Sequence, residues 1–306
     1  MAFSLKQIRY FVAAADTGQV SQAAVELNVS QSAVTAAIKQ LEAGLQARLF
    51  ERHSNGVSLS HQGHRFLQHA RNILTAVDEA ARASQDARSD VAGSLKLGVT
   101  YTVAGYFLPS HLNRFQRSFP EVELVLSEAP RAEIERALIA GELDLAVLLT
   151  SNLENLEALV SETLIRSRRH LWLSLEHPLL RAEHITLEQV AREPYIMLTV
   201  DEAATTAERY WDQTRHRPRE VFRTSSVEAV RSMVAAGMGV TILSDMVYRP
   251  WSLEGQRIET RSLEDRVPSM DAGVAWRRDA RLAPPARAFL DYMSRTFNGA
   301  GSRFGD

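Results

Sequence analysis

The chain contains no cysteine. That excludes disulfides, cysteine-ligated zinc, iron–sulfur clusters and thiol nucleophiles together, and it fits a reducing compartment. No apolar run approaches the roughly 20 residues that a membrane span requires. Glycine and proline are both missing from residues 64–89, which removes the ordinary helix breakers from that stretch. Neither charge dominates: 35 Lys/Arg stand against 37 Asp/Glu, a net charge of −2. The balance is uneven along the chain, with nine basic against seven acidic residues in 1–89 and 26 against 30 in the remainder. The amino-terminal part is therefore weakly basic and the rest weakly acidic, so any non-specific affinity for a polyanion is expected to be low.

What is present is enough to fill large cores. With 306 residues and 45% apolar composition, two domains are expected. At the amino end Leu5, Ile8, Phe11, Val12 and Ala15 recur at helical spacing around Lys6, Gln7 and Arg9. That pattern predicts the first helix of a domain and not a secretory signal.

Residues 21–50 (SQAAVELNVSQSAVTAAIKQLEAGLQARLF) read as two short helices joined by a tight turn. Ala23, Ala24, Leu27, Val29, Val34, Ile38, Leu41, Leu45 and Leu49 fall at spacings that pack them into one small core. Ser30 stands where an N-cap is required. The second helix then keeps Gln31, Ser32, Thr35, Lys39 and Gln40 outward, a polar face suited to base edges and phosphates in a major groove.

Residues 49–60 alternate around Ser54-Asn55-Gly56, a strong hairpin signal, and predict a two-stranded wing with Arg52 on its first strand. His61 to Ser89 predicts one long helix. On it Phe66, Ala70, Ile73, Val77, Ala80 and Ser84 alternate at three- and four-residue spacing. Such a stripe serves either packing on the helix's own domain or pairing with a second copy, and its narrowness favours pairing. Beyond 93 the character changes to short apolar strands at 94–98, 122–126, 143–148, 170–175, 195–198, 221–224, 240–243 and 274–276. Helices are expected between them at 106–119, 131–140, 187–192, 203–215 and 227–236, with a last one at 284–297. This alternation predicts two α/β lobes built on parallel sheets.

The first ninety residues resemble the winged helix-turn-helix of the LysR-type transcriptional regulators. Phe11, Ala15, Ser21-Gln22-Ala23-Ala24, Leu27, Val29-Ser30-Gln31, Ala33-Val34, Ile38, Leu41-Glu42, Leu49-Phe50, Arg52 and Gly63 carry the likeness. It extends through Phe115, Phe119-Pro120, Val122, Leu138, Gly141, Leu143-Asp144, Gly237 and Gly239. The chain departs from the pattern at Ser32 and Ser244, where proline is usual, at Gln46, where glycine is, and at Asn55, where a second wing arginine is common. The resemblance implies an α+β multidomain protein. Its parts are a winged helix-turn-helix over 1–60, a linker and dimerisation helix over 61–91, and an effector domain over 92–306. That last domain is expected to be two-lobed, Rossmann-like and similar to periplasmic binding proteins. Lobe I takes 92–161 and 266–306, lobe II takes 162–265, and the crossovers fall near 161 and 265.

In open α/β sheets small molecules bind beyond the carboxyl ends of the strands. Thr100 and Thr102 follow the first strand of this part, Thr150 the third and Thr199 the strand at 195–198; Ser127 and Ser226 are further hydroxyl candidates. On the DNA side the candidates are Ser21, Gln31, Ser32 and Thr35 for bases and backbone, with Lys39 and Arg52 for phosphates. His61 and His64 lack a third partner for a metal, Asp144 is expected to satisfy backbone amides, and Arg166, Arg168 and Arg169 to form a solvated face. The 298–306 tail is expected to be disordered.

Three function classes remain to be weighed. An enzyme lacks a nucleophile or acid–base constellation, and an export-dependent receptor lacks a signal. An architectural DNA binder has no need for two cleft-bearing lobes. The expectation is therefore a cytoplasmic, nucleoid-associated regulator without enzymatic activity, cofactor, metal or membrane contact. It would bind double-stranded DNA as a homodimer through the linker helix, with a homotetramer implied by the resemblance, answer to a small-molecule effector and be able to contact RNA polymerase.

Overall fold

The computed structural model describes residues 3–53, 56–83 and 91–298. The chain divides into two compact units, 1–89 and 90–306.

The first unit runs α1 (Leu5–Thr17), α2 (Val20–Glu26), α3 (Gln31–Leu45), β1 (Phe50–His53), β2 (Gly56–Leu59) and α4 (His61–Ala83). Ser4 starts α1 with a capping box, its hydroxyl on the Gln7 amide and the Gln7 side chain on the Ser4 amide. Left-handed Gly18 ends that helix, and its carbonyl accepts the Val57 amide at 2.8 Å, tying the wing to α1. Ile8, Phe11, Ala14, Ala23, Val34, Ile38, Leu41 and Leu49 form the core. Phe11 meets Phe50 and Phe66 with ring centroids 5.2 Å away in each case. The Glu42 carboxylate accepts the backbone amides of Leu49 (2.7 Å) and Phe50 (3.1 Å), fixing where the wing leaves α3.

Half of the apolar stripe on α4 is spent inside this unit. Ala70 is fully buried in its core, and Phe66 and Ile73 pack against the same cluster. These three side chains pack within their own unit, and Phe66 and Ile73 keep part of their surface exposed. Val77 is half-buried; the side chains of Ala80 and Ser84 lie outside the described residues, as do Ser54, Asn55 and the 299–306 tail.

The second unit contains β3 (Gly93–Val99), α5 (Tyr101–Tyr106), α6 (Pro109–Ser118), β4 (Val122–Glu128), α7 (Arg131–Ala140), β5 (Leu145–Leu149) and β6 (Leu159–Ser167). It continues with β7 (Arg169–Ser174), α8 (Leu187–Ala191), β8 (Pro194–Leu198), α9 (Ala203–Asp212), β9 (Arg219–Thr224) and α10 (Val227–Ala235). It ends with β10 (Thr241–Ser244), β11 (Ile258–Arg261), β12 (Met270–Arg277) and α11 (Pro284–Asn298). The helix expected over 106–119 begins only at Pro109, whose missing amide suits a first turn, and a separate short helix, α5, precedes it.

The sheets are mixed, not parallel throughout. In lobe I the order is β4-β3-β5-β12-β6, with β3, β4 and β5 parallel and β12 antiparallel to both β5 and β6. In lobe II, β7 lies between antiparallel β10 and β11, while β8 and β9 are parallel and join through a bridge between Tyr195 and Val240. The strands that run against the rest, β7 in lobe II and β12 in lobe I, are those by which the chain enters a lobe at a crossover. β6 belongs to the lobe I sheet along its whole length, so the first crossover falls at Arg168 and not near 161.

That crossover is stapled. The half-buried Arg169 guanidinium donates to the carbonyls of Pro268 and Ser269, the latter at 2.8 Å, and burial lowers its pKa from the arginine norm. The expectation of a solvated face therefore fails for Arg169, although Arg166 and Arg168 are exposed. Ser244 hydrogen-bonds Ser167 at 2.6 Å across the same junction. Asp144 precedes β5 and accepts the Lys96 amide at 2.8 Å while its own amide donates to Lys96 oxygen, so it pins the start of β5 to β3.

Candidate DNA-binding face and effector cleft

The polar face of α3 follows from what lies beneath it. Val34, Ile38 and Leu41 are buried, so Gln31, Ser32 and Lys39 are exposed and Thr35 is half-exposed. Ser30 caps the helix by accepting the Ala33 amide at 3.2 Å, and its hydroxyl lies 3.0 Å from that of Ser32. The first turn carries no acid, so the positive end of the helix dipole stands uncompensated at the same place as Gln31 and Ser32. Gln40 differs from its neighbours, since it accepts from Gln7 of α1 at 3.1 Å and so braces the helix pair. Ser21 is exposed in the first turn of α2. Arg52 lies on β1 opposite Val57, with its side chain outside the described residues.

In the second unit the parallel strands bring the candidate hydroxyls to common edges. β4, β3 and β5 run the same way, so Ser127, the pair Thr100 and Thr102, and Thr150 lie at one edge of the lobe I sheet. β8 and β9 likewise end together, followed by Thr199 and Ser226 in lobe II. Thr100 is buried at the N-cap of α5, yet its hydroxyl makes no hydrogen bond among the described residues. The Thr150 hydroxyl is 3.0 Å from that of Thr163 and 3.3 Å from the Asp271 carbonyl, at the seam between β6 and β12. Ser226 caps α10 by accepting the Ala229 amide at 3.1 Å, and Ser127 is exposed on the edge strand.

What joins the lobes is a set of charged and amide groups that pattern reading passed over. Asp201 Oδ2 accepts the Thr102 amide at 2.6 Å. Asn152 Nδ2 donates to the Asp201 carbonyl at 2.9 Å and to Glu202 Oε2 at 3.3 Å. Arg131 Nε donates to Glu202 at 3.3 Å, while its other nitrogens meet Glu135 at 2.7 Å and Glu154 at 2.8 Å. Burial alone would lower the Arg131 pKa, but the hydrogen bond and charge of Glu135, with Glu202 and Glu154, raise it. Glu135 is fully buried, which by itself favours its acid form. Hydrogen bonds from Arg131, Asn155 and the Glu154 amide outweigh that and hold its pKa below the usual range.

A second tie lies beside the first. Tyr106 of α5 donates to Glu228 of α10 at 3.0 Å, and Glu228 is also paired with the buried Arg231, whose guanidinium lies over the Trp172 ring. Thr102 and the segment after Thr199 are thus brought together through Asp201, and Thr150 through its neighbour Asn152. The signal that could have pointed there is adjacency: Asp201 and Glu202 follow Thr199 within three residues, and Asn152 follows Thr150 within two. Among the described residues no group of three His, Asp or Glu is placed to hold a metal. No helix there is long and apolar enough to cross a membrane.

Comparison with known proteins bears on both units. Residues 5–64 match the family of bacterial regulatory helix-turn-helix proteins of the lysR type, and residues 88–298 match the LysR substrate binding domain. The chain is 29% identical over 296 residues to YwqM, an uncharacterized HTH-type transcriptional regulator of Bacillus subtilis (strain 168), covering 96% of this chain and 99% of the relative. It is 31% identical over 304 residues to the uncharacterized HTH-type transcriptional regulator YnfL of Escherichia coli (strain K12), covering 96% and 98%. The crystal structure of HinK, a LysR family transcriptional regulator from Pseudomonas aeruginosa, superposes with a TM-score of 0.62 at 27% identity, covering 96% and 99%. With a capped recognition helix in one unit and a two-lobed substrate-binding fold in the other, the chain belongs to the LysR family of DNA-binding transcriptional regulators.

Proposed function

We propose that two copies of this regulator read an inverted repeat whose half-sites lie about one helical turn apart, roughly 34–36 Å. The observation that carries this reading is the exposed polar face of α3 at a helix start free of acids. Gln31 reads a base edge. Ser21, Ser32 and Thr35 reach bases or sugar–phosphate, and Lys39 and Arg52 anchor phosphates. Residues 1–60 hold the DNA, 61–91 join two copies through the linker helix, and 92–306 take the effector. The pairing yields a homodimer, and two dimers a homotetramer. The effector is a small molecule held in the cleft between the lobes and touched by Thr100, Thr102, Thr150, Thr199, Ser127 and Ser226, with no further cofactor. The regulator works in the cytoplasm at the nucleoid and passes its signal to RNA polymerase at the promoter.

Selection of bound duplexes from a random DNA library tests the reading. An enriched inverted repeat with the stated spacing supports it. No enrichment, with binding that vanishes at moderate salt, reduces the contact to backbone charge and overturns it.

A further inference from the structure

Asp201 and Glu202 are consecutive non-glycine residues in the left-handed region, at φ 49° and 58°. Side chains other than glycine adopt that region at a cost, and such conformations persist where the surroundings over-determine them. Here the surroundings belong to the opposite lobe. The carboxylate of Asp201 is held by the Thr102 amide, its carbonyl by Asn152, and the carboxylate of Glu202 by Asn152 and Arg131. All three partners lie in lobe I, whereas Asp201 and Glu202 follow β8 of lobe II.

The dependence is mutual. Thr102 is the second residue of α5, so its amide has no acceptor within the helix and is satisfied by Asp201. Opening the lobes would leave that amide without its protein acceptor and remove the contacts that hold Asp201 and Glu202 in their strained conformation. Cleft closure and the backbone of this segment therefore change together.

We propose that Asp201 and Glu202 form a built-in latch that holds the two lobes together, whatever the cleft between them takes.

Amide hydrogen exchange on the full chain, without DNA or any small molecule, reads the latch at Thr102. Asp201→Gly keeps the left-handed backbone at no steric cost and deletes the carboxylate. The Thr102 amide should then exchange at least tenfold faster, while the amides of Leu95 and Leu97 in β3 keep their rates. Asn152→Ala, which removes no group that touches Thr102, should accelerate the same amide through the shared segment. If Asp201→Gly also speeds the β3 amides, Asn152→Ala decides, because it leaves the Thr102 acceptor in place and removes only the contacts that hold the 201–202 backbone. A Thr102 rate within twofold of wild type in Asn152→Ala, or in Asp201→Gly with β3 unperturbed, overturns the latch. Selection on random DNA does not depend on these rates, so failure of the latch and failure of the regulator reading are separate results.

Discussion

Replacing Phe66 by alanine separates two uses of the same apolar stripe. The ring contacts Phe11 at 5.2 Å and Phe3 at 5.9 Å between centroids, both within its own chain. Truncating a core phenylalanine costs about 3–5 kcal/mol, and Phe66 is partly exposed, which brings the expected loss to about 2–3 kcal/mol. For a unit of this size that lowers its midpoint by roughly 10–15 °C. The assay is favoured by composition, since Trp172, Trp211, Trp251 and Trp276 all lie beyond residue 90. Tryptophan fluorescence then follows the second unit, while far-ultraviolet circular dichroism follows both. Phe66→Ala should shift the circular dichroism transition and leave the fluorescence transition in place, by the same free energy across a hundredfold dilution. An unchanged circular dichroism transition, or a shift that disappears on dilution, would show that the ring packs on a second copy and would refute the assignment to the core.

Gln31→Ala should relax sequence preference at one position per half-site, at about 1–3 kcal/mol of lost discrimination in competition binding; equal weakening on every sequence contradicts base readout. Gln46 closes α3 at φ 51°, with Ala47 donating to the Glu42 carbonyl, a geometry suited to glycine. Gln46→Gly should therefore stabilise the first unit by about 0.5–1 kcal/mol in chemical unfolding, after allowing for the greater freedom of the unfolded chain. Burial between Phe107 and Phe297, together with the charge of Arg114, pushes His111 down to about 4. The unfolded chain takes up that proton near pH 6.5 and the folded chain does not, so stability falls as pH drops from about 6.5 to about 4. Urea unfolding followed by fluorescence should lose about 2 kcal/mol between pH 7 and pH 5 on this account. His111→Phe should remove that loss; an unchanged pH dependence rejects the assignment.

The helix-turn-helix was legible because its determinants are local. Ser30 caps α3, Val34, Ile38 and Leu41 fix its buried face, and Gln31, Ser32 and Lys39 are what remains outward. The same holds for α7, whose limits at Arg131 and Ala140 follow from its periodicity and the left-handed Gly141. β6 and β11 escaped notice, and β6 does so for a physical reason. Its place depends on pairing with a strand more than a hundred residues later. Ser127 and Thr199 could be placed at strand ends from pattern alone, but neither reveals what faces it.

By itself the sequence determined the family, most of the order of elements, the outward polar face of α3 and the hydroxyl-bearing strand ends, since each is written in spacings of a few residues. Only the tertiary structure decided that Phe66, Ala70 and Ile73 serve their own core, that the chain changes lobes at Arg168, and that Asp201 and Glu202 reach Thr102, Asn152 and Arg131. Periodicity says that a side chain must be covered and a carboxylate satisfied. It does not say by which surface, because partners 49 to 99 residues apart are chosen by the packing of the whole domain.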